Sequence, residues 1–109
     1  LAPWNDLAIN MVEPLTMTPV LPEGYKLHSA YPNPFNPVAT IQFDLPNNVH
    51  AELNVYDMTG RLVETLIAGN LKAGYHHIEW NASGKASGMY LLKLHAGDFI
   101  ETQKITLLK

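Results

Sequence analysis

The chain has 109 residues, a formal net charge of −3, and no cysteine. The absence of cysteine excludes disulfides, thiolate nucleophiles and cysteine-ligated zinc together. Its seven basic residues are scattered, which excludes an electrostatic footprint for nucleic acid and a polybasic membrane patch.

Seven of the eight prolines fall in residues 1 to 37, and six of the seven glycines fall from Gly60 onward. The first stretch, residues 1–24, is broken by Pro3, Pro14, Pro19 and Pro22 and carries only Asp6, Glu13 and Glu23 as charges. It reads as a linker or the fringe of an upstream domain. Leu7, Ile9 and Met11 form a weak period-two signal, enough for one short edge strand. Residues 25–109 are enough for one small domain with a single core. No apolar run approaches the ~20 residues of a membrane span. No signal peptide opens the sequence, so export would need a signal outside it.

Tyr31-Pro32-Asn33-Pro34-Phe35-Asn36-Pro37 comes next. Proline fixes φ, lacks a donor and pushes its predecessor toward extended geometry, so the segment is neither helix nor central strand. It is expected to be an ordered entry into a sheet, with Asn33 and Asn36 as Asx-turn residues and Tyr31 and Phe35 pinning it to a core edge.

From Val38 onward short strands alternate with turn signals. Ile41, Phe43 and Leu45 alternate with polar neighbours, and Pro46-Asn47-Asn48 closes that run. Ala51, Leu53 and Val55 repeat the pattern up to Asp57-Met58-Thr59-Gly60, and the two runs are predicted to pair as a hairpin. Val63, Leu66 and Ile67 are out of strict register, which predicts a bulged or edge strand ending at Gly69-Asn70. Gly74 then launches His76, Ile78 and Trp80 on one face. After a turn region from Asn81 to Gly88, Tyr90, Leu92 and Leu94 point inward, and a hairpin at Ala96-Gly97-Asp98 leads to a last strand with Ile105 and Leu107 inward. Gly60 and Gly74 read as turn glycines and Gly88 as a strand-start glycine.

Six to eight strands at about ten-residue spacing, with no helix, describe an all-β, immunoglobulin-like antiparallel β-sandwich. Without a cysteine pair the inter-sheet pin would be apolar, with Trp80 and Tyr90 as the large rings and Phe43 beside them. Leu71-Lys72-Ala73 admits a Greek-key crossover.

Little in the pattern carries chemistry. His28, His50, His76, His77 and His95 show no recognised metal spacing, and His76 and His77 point to opposite strand faces. Asp44, Asp57 and Asp98 sit at strand ends and turns, where carboxylates cap turns; turn carboxylates and carbonyls are also what a calcium site uses. No serine or threonine has a base and orienter in a motif, so no catalytic residue, cofactor or metal is assigned. The sequon Asn81-Ala82-Ser83 matters only in a host that glycosylates it.

The Tyr31–Pro37 motif is followed by Thr40-Ile41-Gln42-Phe43-Asp44-Leu45-Pro46, then Val55 through Val63, and then Ala73-Gly74-Tyr75-His76 with Trp80. Ser87-Gly88-Met89-Tyr90 and Lys104-Ile105-Thr106-Leu107-Leu108-Lys109 complete the order. Together they resemble the type A C-terminal sorting domain of type IX secretion cargo, the Por secretion tail family, from about Leu27 to Lys109. The turn after Trp80 departs from the pattern, being shorter and less rich in Asp and Gly than in many relatives, which argues against a divalent-ion role there.

The resemblance implies a non-catalytic address on a secreted or surface protein of the Bacteroidetes and neighbouring phyla. Such passengers reach the periplasm by an amino-terminal signal and cross the outer membrane through the type IX translocon. A sortase-like peptidase commonly removes the domain, here within residues 16–29. The resemblance places recognition in the terminal strand, Lys104, Ile105, Thr106, Leu107, Leu108 and Lys109. Lys104 and Lys109 serve no core, and they read equally as edge gatekeepers against aggregation. Free backbone groups on that strand would also suit strand addition to a receptor sheet. Tyr31, Pro32, Asn33, Pro34, Phe35, Asp57, Gly60, Gly74, His76, Trp80, Gly88 and Tyr90 match the family and read as structural. A monomer with an upstream passenger, no nucleic acid and no membrane insertion is expected. Two other readings stand beside it. An accessory carbohydrate-binding sandwich would display exposed coplanar rings among Tyr25, Tyr31, Tyr56 and Tyr75, and a structural spacer would leave export indifferent to the terminal strand.

Overall fold

A computed structural model describes residues 21–109; the weak strand signal at Leu7–Met11 lies outside the described residues. Seven strands follow in chain order: β1 (Lys26–Leu27), β2 (Val38–Leu45), β3 (Val49–Asp57), β4 (Leu62–Leu71), β5 (Gly74–Asn81), β6 (Gly88–Ala96) and β7 (Phe99–Leu107). They form two sheets, ordered β1-β2-β5 and β4-β3-β6-β7, with every strand pair antiparallel. This is the expected immunoglobulin-like sandwich.

Period-two alternation builds the core, because each strand sends every second side chain between the sheets. Ile41, Phe43 and Leu45 of β2 meet Leu53 and Val55 of β3, Leu92 and Leu94 of β6, and Ile105 and Leu107 of β7, all fully buried. No polar or charged residue is fully buried among the described residues.

The predicted hairpin between β2 and β3 does not form: β2 pairs with β1 and β5, while β3 pairs with β4 and β6 in the facing sheet. Two-residue hairpin turns need positive φ at least at their first central residue, which Pro46 cannot adopt. The chain crosses between the sheets at 46–48, and it crosses back at 72–73, where Ala73 N donates to Asn48 Oδ1 at 2.9 Å. The crossover foreseen at Leu71–Ala73 is thus one of a tied pair. Strand β4 is a bulged edge strand as expected, with register shifts at Leu53/Asn54 and Val55/Tyr56. It runs through Gly69 and Asn70, however, because both pair with β3.

Phe43 is a buried core ring as expected, but the ring beside Trp80 is Phe35. Phe35 lies 5.3 Å from Trp80, and Trp80 meets Tyr90 edge-on at 5.5 Å. Phe43 stacks instead on the ring of His76 at 5.2 Å, because β2 pairs it with His76 and pairs Ala39 with Trp80. The indole N–H of Trp80 donates across the sandwich to Glu64 Oε1 at 3.1 Å, a partner hidden from sequence because β4 is bulged there.

Candidate functional site

The proline-rich segment is a strap that passes from the edge of one sheet to the edge of the other. Tyr31 exchanges both backbone bonds with Thr40 of β2, at 3.0 and 2.7 Å. Four residues later, Phe35 N donates to Thr106 O at 2.9 Å and Leu108 N donates to Phe35 O at 3.0 Å, a parallel bridge to β7. Prolines at 32, 34 and 37 have no amide to leave unpaired, which suits an edge position.

Asn33 does not form the expected Asx-turn. Its Oδ1 accepts from Thr106 N at 3.0 Å and its Nδ2 donates to Lys104 O at 3.3 Å, so its amide stands in for a peptide unit against β7. Ahead of the strap, the β7 side chains reach back: Glu101 Oε1 accepts from Leu27 N, Gln103 Oε1 accepts from Ala30 N, and Gln103 Nε2 donates to His28 O. The outer edge of β7 from Lys104 to Leu108 is therefore occupied by the chain itself, and it offers no free edge there for strand addition.

The six terminal residues do not form one surface. Ile105 and Leu107 are fully buried, whereas Lys104, Leu108 and Lys109 are exposed and Thr106 is half-exposed. Lys109 N donates to Ser87 Oγ at 3.1 Å.

The remaining matched residues hold turns and core. Asp57 Oδ1 accepts from Thr59 N, Thr59 Oγ1 and Arg61 N at 2.9, 2.6 and 3.0 Å. The Thr59 hydroxyl above all, with the Arg61 amide, holds the Asp57 carboxyl below its ordinary value, since bonds to the charged form favour it. Gly60 closes this turn at φ 89°, a conformation costly for residues with a Cβ. Gly74 (φ 150°) begins β5 where the chain leaves the crossover, and Gly88 (φ 148°) begins β6. His76 Nε2 lies 2.7 Å from Lys72 O, and the Tyr90 hydroxyl donates to Ala86 O. Asp44 caps no turn; its Oδ2 lies 2.9 Å from His28 Nε2, which β1 brings alongside β2.

Among the described residues, no three His, Asp or Glu side chains converge as metal ligands, and no helix is long and apolar enough to cross a membrane. Of the tyrosines, Tyr25 stacks on Phe99 at 5.3 Å, while Tyr31 and Tyr75 are exposed.

The secretion system C-terminal sorting domain family matches residues 29–108. The chain belongs to this family. A sorting domain of this kind is a type IX secretion signal on a secreted or cell-surface protein, and the family is generally non-catalytic. Of solved structures, PorZ, an essential bacterial surface component of the type-IX secretion system of Porphyromonas gingivalis, is similar at TM-score 0.54 and 21% identity. The likeness covers 76% of the 109-residue chain and 11% of the PorZ chain, and at that identity it shows a shared fold. No curated protein matches the chain.

The strap's grip on β7 and the Glu64–Trp80 bond were missed from sequence. The first had a signal, an Asn between two prolines that leave its neighbours few other bonds.

Proposed function

We propose that this sorting domain is the carboxy-terminal address of a longer secreted protein, carried through the periplasm to the type IX translocon in the outer membrane. The observation that carries the reading is the family match over residues 29–108. In this reading the domain acts as a folded monomer and the translocon reads the side chains of its terminal strand that are not buried, Lys104, Thr106, Leu108 and Lys109. Residues 1–24 are the linker to a passenger.

A sortase-like peptidase then cuts within residues 16–25. The backbone from Leu27 to Ala30 is tied to Glu101 and Gln103, and proteases need an extended chain with few such bonds. That narrows the stretch 16–29 expected from sequence.

The test is a reporter carrying an amino-terminal export signal and followed by all 109 residues, expressed in a type IX-competent host. The reading expects reporter at the surface or in the medium, with a new carboxy terminus before Lys26. Reporter retained in the periplasm at the level of the untagged control would refute it.

A further inference from the structure

We infer that the sorting domain docks through the outer face of its four-stranded sheet, at the end bearing Lys104, onto a folded protein of the export machinery whose contact surface is apolar with acidic flanks. The inference rests on the proposed address function and names the surface that carries it.

Register places the relevant side chains. Tyr56 of β3 lies opposite Leu62 of β4 and Leu91 of β6, and Leu91 lies opposite Lys104 of β7. The four form one row across the sheet, and three inter-strand steps of about 4.8 Å make it roughly 14 Å wide. Met89, two residues before Leu91, widens the row on the same face. Leu62 is 51% and Met89 41% exposed, and Tyr56 and Leu91 are half-exposed. The opposite face of the molecule differs: Thr40, Gln42 and Asp44 of β2 lie against Glu79, His77 and Tyr75 of β5, a polar surface. Contiguous exposed apolar side chains rimmed by polar residues are the kind of surface that protein interaction sites use.

Charge selects the partner. Lys104 ends the row on β7 and Lys93 stands one row over on β6, and among the described residues neither is paired with a carboxylate. Glu52, the acidic side chain on this face, sits two rows away, opposite His95. In a chain of net charge −3, this end is locally cationic, which suits a surface carrying Asp or Glu beside apolar groups. An anionic lipid surface is favoured by clusters of roughly four to eight Lys or Arg, and this face offers fewer.

The experiment compares export of the reporter fused to the intact chain with three double variants: Lys93→Glu with Lys104→Glu, Leu62→Ser with Met89→Ser, and, on the polar face, Gln42→Glu with His77→Glu. Folding is checked by denaturation of each purified chain. Reversed charge against an acidic patch costs enough that both variants of the proposed face should lose at least about tenfold in export, with the polar-face variant unchanged. Export of all three at the intact level overturns the surface while leaving the address function standing. Failure of the intact fusion overturns both. Sedimentation of the purified chain with vesicles of anionic lipid, lost in the Lys93→Glu and Lys104→Glu variant, would assign the face to lipid and overturn the protein partner.

Discussion

Replacing Phe35 by alanine separates the strap's side-chain anchor from its backbone bonds. The ring is 1% exposed and packs 5.3 Å from Trp80, whereas the bonds to Thr106 and Leu108 use only the backbone of residue 35. Truncating a buried Phe to Ala costs about 3–5 kcal/mol, since the cavity adds to the lost transfer energy. Against a total stability of about 5–15 kcal/mol, and about 4–8 °C of Tm per kcal/mol in a domain this small, the expected fall is roughly 12–40 °C. Tyr31→Ala is the control. It sits in the same strap with two backbone bonds of its own, but the residue is 51% exposed, so its loss should stay below about 1 kcal/mol. Urea denaturation of the 109-residue chain measures both. Equal losses, or a Phe35→Ala loss below about 1 kcal/mol, would refute the claim that the strap is docked through Phe35.

Glu64→Ala leaves the buried indole N–H of Trp80 without its acceptor and should cost about 1–3 kcal/mol in denaturation, although Glu64 itself is only half-buried. Gly60→Ala meets no steric neighbour, so its expected loss of about 1–2 kcal/mol measures the positive φ alone. The depressed carboxyl of Asp57 contributes stability that is present above its unfolded value and is lost as pH falls through the lower folded value. The Tm advantage of the native chain over Asp57→Asn should therefore shrink as pH drops from about 5 to about 3; an advantage constant across that range would contradict the assigned bonds.

Much of the sandwich was legible because its strands keep strict alternation: in β2, β3 and β6 each residue expected to face inward is buried. What failed was pairing. Ile41–Leu45 and Ala51–Val55 look like hairpin arms, and the one local sign against a tight hairpin turn is Pro46, which cannot take positive φ. The candidate site was legible as a motif but not as a geometry. Strand alternation foretold that Ile105 and Leu107 point inward, and an Asn between prolines signals a partner elsewhere, yet nothing in a linear pattern says that Asn33 and Phe35 meet Thr106 and Leu108, more than 70 residues away. That pairing alters how the terminal strand can be tested. Deleting residues 104–109 removes two buried core residues and the strap's partners, so it damages the fold as well as any recognition surface, and point changes at Lys104, Thr106 and Leu108 are the cleaner probe.

The central claim is that this domain is sufficient as a type IX address. Its most direct measurement is the location of a reporter fused to the full chain in a type IX-competent host and in the same host lacking the translocon. The account predicts reporter at the surface or in the medium of the first and confined to the periplasm of the second. The same location in both hosts would contradict it.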